Sequence, residues 1–398
     1  MQKKRNRLIF LIVYLAYTSI YIARVNLSMA GPDLNLEGIV TTAGLGLLGG
    51  IFSTVFAAGR LLNGTISDRV PPYKMLTIGL CLAGVSNILI SFFPPFIGIF
   101  VLWMTNAYAQ SMLWSSVLCV VSSMYDSRTA KKRTSLMVTS VAMGNILGII
   151  LNTLLITKLG LRYAFAVPGI LTIVLGALTF LFTRHIRPNS DSQGAQKKHL
   201  SFFALIKKRE VLTMSIPAFL HGVMKDNVPL FMTVFVVDRY VIDLSKSSYY
   251  ILLVPAIGFV GRIIYPLTYR LCKERENTVS VFGFIVCAVA SLLLCFSSVP
   301  LLLAVICLGI IYTAASVINT SMLSIYPLRY CQTGNVASVS GIMDFATYLG
   351  AGITGMLYGV CIEKFGYAPM FVSWILFSLV SVFFLFKVDR KREEARSE

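Results

Sequence analysis

Lys158-Leu-Gly-Leu-Arg-Tyr-Ala-Phe165 and Lys364-Phe-Gly-Tyr-Ala-Pro-Met-Phe371 lie 206 positions apart and share Lys, Gly and Phe in the same register. Upstream, Gly144 and Gly350 keep that offset, and Gly59-Arg60 returns as Gly261-Arg262 at an offset of 202. Each pair marks the same point of an apolar run, so the chain reads as a duplication built from a string of such runs. A bilayer core of ~30 Å needs about 20 apolar residues per helix. Working outward from the anchors, twelve segments of that kind can be placed, at 8–30, 43–66, 74–93, 96–122, 135–157, 163–183, 211–237, 247–269, 278–297, 299–322, 336–360 and 367–386. The expected fold is an all-α membrane protein with 12 transmembrane helices in two pseudo-symmetric six-helix bundles.

Composition agrees with this. Of 398 residues 56% are hydrophobic and only 13% charged, about half the charge of a soluble chain, which excludes an ordinary soluble enzyme. The net charge of +18 would suit nucleic acid only as a basic patch on a polar surface. Here the basic residues sit in short runs between apolar stretches, and no nucleic-acid partner is expected. On the side shared by both termini lie 26 of the 35 Lys and Arg, against five on the other side (Lys158, Arg162, Arg239, Lys246, Lys364). The positive-inside rule then puts both termini in the cytoplasm of a multi-pass protein of the cell membrane. The longest polar break, 184–210, divides an N-terminal bundle at 1–183 from a C-terminal bundle and short tail at 211–398. Within it, Ser201-Phe-Phe-Ala-Leu-Ile-Lys-Lys-Arg209 reads as a short interfacial helix or as an early start of the seventh span.

Two six-span halves in parallel repeat match the major facilitator architecture, whose halves rock about a midplane site. The loop Gly64-Thr-Ile-Ser-Asp68-Arg69 with Lys74 resembles that superfamily's loop signature, and Lys158 to Phe165 is also typical of it. The resemblance implies that Gly64, Asp68 and Arg69 act in gating, Gly64 by close helix approach and Asp68 by capping or pairing across a cytoplasmic gate. Three stretches resemble the organophosphate:phosphate antiporter group, which includes the glycerol-3-phosphate and hexose-phosphate transporters. They are Tyr21-Ile-Ala-Arg24-Val-Asn26-Leu-Ser-Met-Ala30, Gly59-Arg60 through Tyr73, and Tyr348-Leu-Gly-Ala-Gly352.

An ionisable residue at a helix centre costs about 2.5–3.5 kcal/mol on insertion scales, so each one is a functional candidate. Arg24 lies roughly 24 Å along the first span at 1.5 Å per residue. Tyr17, Tyr21 and Ser28 share its stripe, which would be costly against lipid and suits a wet cavity. A guanidinium matches phosphate or carboxylate bidentately, and the family's first-span substrate arginine falls on Arg24. The competing reading is snorkelling to the outer headgroups. In the seventh span His221 and Lys225 share a face, Asp226 is turned away by about 100°, and Pro217 and Pro229 flank them. Alignment on Asp226 and Pro229 puts the family's second substrate arginine at His221. That substitution replaces a fork with a titratable or point-charge donor. Lys225 is either that donor or half of a structural ion pair.

The family's fifth-span histidine falls on Gly144, with Asn145 the candidate replacement. Asp344 in the eleventh span is an extra carboxylate, either a proton carrier alongside Asp226 or a static partner of Lys225 or Arg24. Arg60 coincides by motif with a basic family residue at the cytoplasmic mouth, and snorkelling is the alternative for it and for Arg262.

The expected function is a secondary active transporter of a small organic anion, an organophosphate or similar, driven by phosphate exchange or proton coupling. A proton-coupled sugar-acid or drug carrier and a non-transporting membrane ligand sensor are the alternatives. No cofactor or metal is expected, and a monomer in membrane lipid is the expected state. The eight cysteines form no CxxC or Cys/His cluster, and no Walker loop, nucleophile elbow or HExxH occurs, so neither ATP-driven transport nor an enzyme is indicated.

Overall fold

The duplicated glycines are explained by the backbone. In the computed structural model, Gly160 (φ +107°) and Gly366 (φ +74°) each follow a long helix in the left-handed region, where a Cβ is disfavoured. Gly160 N–H donates to the carbonyls of Ile156 and Leu155, and Gly366 N–H to that of Ile362. Five residues on, Phe165 and Phe371 are 1% and 0% exposed. The repeated motif is therefore a helix stop followed by an aromatic plug.

The structure describes residues 2–66, 70–185, 205, 207–273, 275–330 and 336–397. They form fourteen α-helices and no strand: α1 (Gln2–Leu36), α2 (Thr42–Ile66), α3 (Pro72–Ile90), α4 (Phe96–Ser111), α5 (Leu113–Met124), α6 (Ser127–Leu159), α7 (Tyr163–Thr183), α8 (Arg209–Tyr240), α9 (Leu244–Ile251), α10 (Leu253–Leu271), α11 (Glu276–Leu294), α12 (Leu301–Asn319), α13 (Val336–Phe365) and α14 (Ala368–Ser397). A π-helical turn (Thr320–Ile325) and a 3₁₀ turn (Tyr326–Tyr330) continue α12. The fourth span is broken at Met112 and the eighth at Leu252. Most of the interfacial segment expected at 201–209 lies outside the described residues, as do Asp68 and Arg69.

Among the described residues, eleven of the spans are long and apolar enough to cross a membrane. The exception is α8, which has the length, 32 residues, but carries His221, Lys225, Asp226 and Asn227 at its middle. It runs unbroken through Pro217 and Pro229. Pro229 cannot donate to the carbonyl of Lys225 one turn earlier.

Packing divides the chain into two compact units. One comprises Met1–Thr41, Ile51–Gly194 and Asp243–Ser248, the other Thr42–Gly50, Ala195–Ile242 and Tyr249–Glu398. In the first, α1 lies on α6 and α3 on α7; in the second, the repeat-related pairs α8 on α13 and α11 on α14 do the same. The shared glycines sit at these crossings. A Cβ on Gly144 would come within 2.5 Å of Tyr21 Cβ and 2.6 Å of the Thr18 carbonyl oxygen. One on Gly350 would come within 2.0 Å of the Phe219 carbonyl oxygen, and one on Gly222 within 1.7 Å of that of Thr347. Such small-residue crossings let helix backbones touch where lipid gives no hydrophobic drive. Polar side chains add to the packing: Asn26 donates to Asn87 Oδ1 (2.8 Å) in the first unit, and Asn227 to Thr354 Oγ1 (2.9 Å) in the second.

Candidate functional site

In the first unit the polar stripe of α1 meets an aromatic platform on α2. Phe52, Phe56 and Arg60 are spaced by four, which puts them on one helix face. The two Phe rings are buried and stacked, 6.1 Å apart at 12°. Arg24 Cζ stands 4.5 Å from the Phe52 centroid and 5.6 Å from that of Phe56. Arg60 Cζ lies 5.7 Å from the same Phe56 ring. Two guanidinium groups therefore lie close to one phenyl ring. Behind Phe52, Trp103 of α4 is buried at a 5.5 Å centroid distance. Tyr17 is packed between Tyr21 (5.6 Å) and Trp114 of α5 (5.4 Å).

Magnitudes favour this inward placement of Arg24. A desolvated cation–π contact contributes about 2 kcal/mol, comparable to the roughly 2.5–3.5 kcal/mol that a mid-membrane cation costs. The guanidinium N–H groups lie in its plane, the direction in which a carboxylate or phosphate is forked. Gly144 packs against Tyr21 of this stripe, so a histidine could not occupy position 144 in this packing. Asn145 beside it is half-buried.

The second unit holds the other ionisable residues on α8 and α13. Lys225 Nζ is 4.2 Å from the Tyr348 centroid and 4.0 Å from Asp226 Oδ1. Asp344, one turn before Tyr348 on α13, is half-buried. One turn before Lys225, His221 is 0% exposed. Asn319, the last residue of α12, lies beside His221. The Asn319 side chain is the group that hydrogen-bonds the imidazole.

Of the expected residues, the structure thus brings Tyr17, Tyr21, Arg24 and Arg60 together around shared rings in one unit, and His221, Lys225 and Asp226 together in the other. Gly64 lies in the last turn of α2. Sequence reasoning missed Phe52, Phe56, Trp103, Trp114 and Asn319, and took Tyr348 only as part of a motif. The four-residue spacing from Phe52 to Arg60 was a usable signal for the platform. Asn319 offered none, because its relation to His221 depends on how α12 packs on α8. No group of His, Cys, Asp and Glu able to hold a metal is found among the described residues.

Residues 9–355 match the family model of the Major Facilitator Superfamily, and the chain belongs to that superfamily. It is 31% identical over 113 residues to the membrane sensor protein UhpC of Escherichia coli, covering 28% of this chain and 25% of that protein. It is 28% identical over 189 residues to a probable hexose phosphate transport protein of Chlamydia trachomatis, covering 47% and 40%. The matches thus span between a quarter and two-fifths of these curated relatives. Among solved structures, a bacterial homologue of the human lysosomal transporter Spinster, inward-facing and unoccupied, superposes with a TM-score of 0.80 at 14% identity over 97% of both chains. That likeness shows the fold. The relatives extend the resemblance to the organophosphate:phosphate antiporter group that the motifs carry.

Proposed function

We propose that this protein carries a small organic anion, an organophosphate or a compound of similar charge, across the cell membrane by alternating access. The observation that carries the reading is Arg24, held over the buried Phe52 and Phe56 rings with Arg60 also close to the second ring. Two guanidinium groups in one aromatic setting suit a ligand of one to two negative charges, and Tyr17, Tyr21 and Trp114 supply the surrounding amphipathic wall. Within the second unit Lys225 and His221 are the candidate polar contacts, and within the first Asn145 is an auxiliary hydrogen-bonding group. Asp226 and Asp344 are the candidates for proton coupling, and phosphate exchange is the alternative energy source. The bundles are 1–183 and 211–398, joined by a cytoplasmic linker, with Gly64, Asp68 and Arg69 at the gate. The working unit is a monomer with both termini cytoplasmic.

The test is counterflow in proteoliposomes with a panel of phosphate esters, carboxylates and sulfonates beside neutral and cationic solutes. Exchange of at least one anion, lost in Arg24→Ala, is expected. Exchange confined to neutral or cationic solutes and indifferent to Arg24→Ala would overturn it. The similarity to a membrane sensor supports one second reading, a ligand sensor. It predicts saturable anion binding with no flux in the same vesicles.

A further inference from the structure

A basic cluster outside the candidate site lies at one end of the first unit, where α1 and α6 begin. Residues 1–7 and 124–133 together hold eight Lys and Arg against one acid, Asp126. The fold joins these two stretches. Asn6 donates to the carbonyl of Met124 (2.9 Å), and the Tyr125 hydroxyl donates back to the carbonyl of Asn6 (2.9 Å). Arg133 Cζ lies 4.9 Å from the Phe10 centroid and 5.5 Å from that of Tyr125. Arg7 and Arg133 both act electrostatically on the Tyr125 hydroxyl. Lys4, Arg5, Arg7 and Lys132 are exposed and Arg133 is half-buried. Asp126 caps α6, accepting from the Thr129 N–H (3.1 Å). Like charges gathered in this way repel one another, so the cluster calls for an anionic counterpart.

What lies next to the cations decides the occupant. Leu8, Leu11 and Leu15 are spaced by three and four, so they share one face of α1. All three are exposed, as is Leu136 one turn beyond Lys132 on α6. The apolar spans themselves start at Lys4 and Lys132, so within about one turn the surface changes from cations to bare leucine. A free phosphate ion has no use for those leucines, and a lipid without net charge has little for the cations. A glycerophospholipid with a net negative headgroup uses both: its phosphate oxygens take the N–H forks of arginine, and its acyl chains lie along the leucines. Basic clusters at the water-facing end of a membrane helix are a recurring footprint of such headgroups. We propose that Arg7 and Arg133, with Lys4, Arg5 and Lys132 around them, bind the headgroup of an anionic glycerophospholipid in the leaflet at the N-terminal end of α1. The bound lipid offsets the repulsion between the two helix ends and so steadies the α1–α6 pair, whose α1 carries Arg24. The site is independent of what the protein carries.

The experiment uses the purified, delipidated full-length protein in detergent. Native mass spectrometry reads the binding of phosphatidylglycerol and of phosphatidylcholine with the same acyl chains. The first phosphatidylglycerol is expected to bind at least about fivefold more tightly than the first phosphatidylcholine. Arg7→Gln/Arg133→Gln should bring that ratio toward one, while Arg7→Lys/Arg133→Lys, which keeps the charge and loses the forks, should give an intermediate ratio. Arg270→Gln/Lys273→Asn removes the same charge from the exposed end of α10 in the second unit and should leave the ratio as in wild type. Equal binding of the two lipids by wild type would overturn the site. So would an equal fall of the ratio in the Arg7/Arg133 and Arg270/Lys273 variants, which would mark a diffuse effect of surface charge. Displacement of bound phosphatidylglycerol by millimolar inorganic phosphate would overturn the lipid assignment in favour of a soluble anion. Should the paired glutamine variant fail to fold, Arg7→Gln alone decides: a ratio at least halved supports the site, and an unchanged ratio overturns it.

Discussion

Alanine at position 350 should separate two helices that now touch. An ideal Cβ there would lie 2.0 Å from the carbonyl oxygen of Phe219 and 2.8 Å from its carbon. Non-bonded heavy atoms are at ease near ~3.5 Å, so α8 and α13 would have to part by more than about 1 Å. The obstacle is backbone, which cannot swing aside as a flexible side chain does. Overpacking of this kind costs typically 1–3 kcal/mol, and the upper end applies here. For a unit of about 200 residues each kcal/mol shifts the melting temperature by roughly 2–4 °C, so Gly350→Ala should melt lower by about 6–12 °C.

The same helix supplies the control. A Cβ on Gly341 would meet nothing within 4 Å, and replacing a helix-interior glycine by alanine gains up to about 1 kcal/mol in propensity. Gly341→Ala should therefore hold or raise the melting temperature. Differential scanning fluorimetry on the purified variants reads both. If Gly350→Ala melts within 1 °C of wild type, the close α8–α13 crossing is refuted.

Other predictions follow from the same geometry. Gly366→Ala should destabilise by about 1–2 kcal/mol, because its φ of +74° is costly for a side chain although nothing crowds the position, and Gly366→Asn should cost less; equal losses for Ala and Asn would point to another cause. Phe52→Ala removes the ring beneath Arg24 and should weaken anion binding at least fivefold in a titration, whereas Phe52→Tyr, which keeps the ring, should weaken it far less; a deficit as large for tyrosine would remove the cation–π argument. Asp238, at the end of α8, accepts a hydrogen bond from Tyr367 (3.1 Å). Desolvation raises its carboxyl above the ordinary 3.8, and the Tyr367 bond opposes this in part. A raised carboxyl contributes stability at pH values below its ordinary range and loses it as pH climbs through the folded value. Asp238→Asn, which keeps an acceptor for Tyr367, should accordingly melt higher than wild type at neutral pH, with the gain fading as pH falls toward about 4; a gain independent of pH contradicts the assignment.

The repeat was legible because its residues have local jobs. Gly160 and Gly366 must be glycine for their φ, and Phe165 and Phe371 plug the same corner of each unit, so identity at a fixed offset survives where surrounding apolar residues drift. Arg24 was legible for a different reason: a cation on a Tyr-Tyr-Arg-Ser stripe stands out against apolar neighbours. Its platform was half legible. The spacing of Phe52, Phe56 and Arg60 defines one face of α2, but only tertiary packing says that the face meets Arg24. Gly144 looked like the loss of a histidine, and packing shows a close approach of α6 to Tyr21 and Thr18 instead. The seventh span has the length of the others, although its charged middle makes it the least apolar of the set. Asn319 was illegible, since one more polar residue near the end of an apolar run carries no periodic signal and its meaning depends on His221 in another helix.

The central claim is that Arg24 on its aromatic platform anchors an anionic cargo. It is tested most directly by measuring initial rates of anion counterflow for wild type, Arg24→Lys and Arg24→Gln at matched protein levels in proteoliposomes. The account predicts loss of exchange in Arg24→Gln and a raised half-saturation concentration in Arg24→Lys, which keeps the charge but lacks the fork. Exchange at the wild-type rate and half-saturation in Arg24→Gln would contradict it.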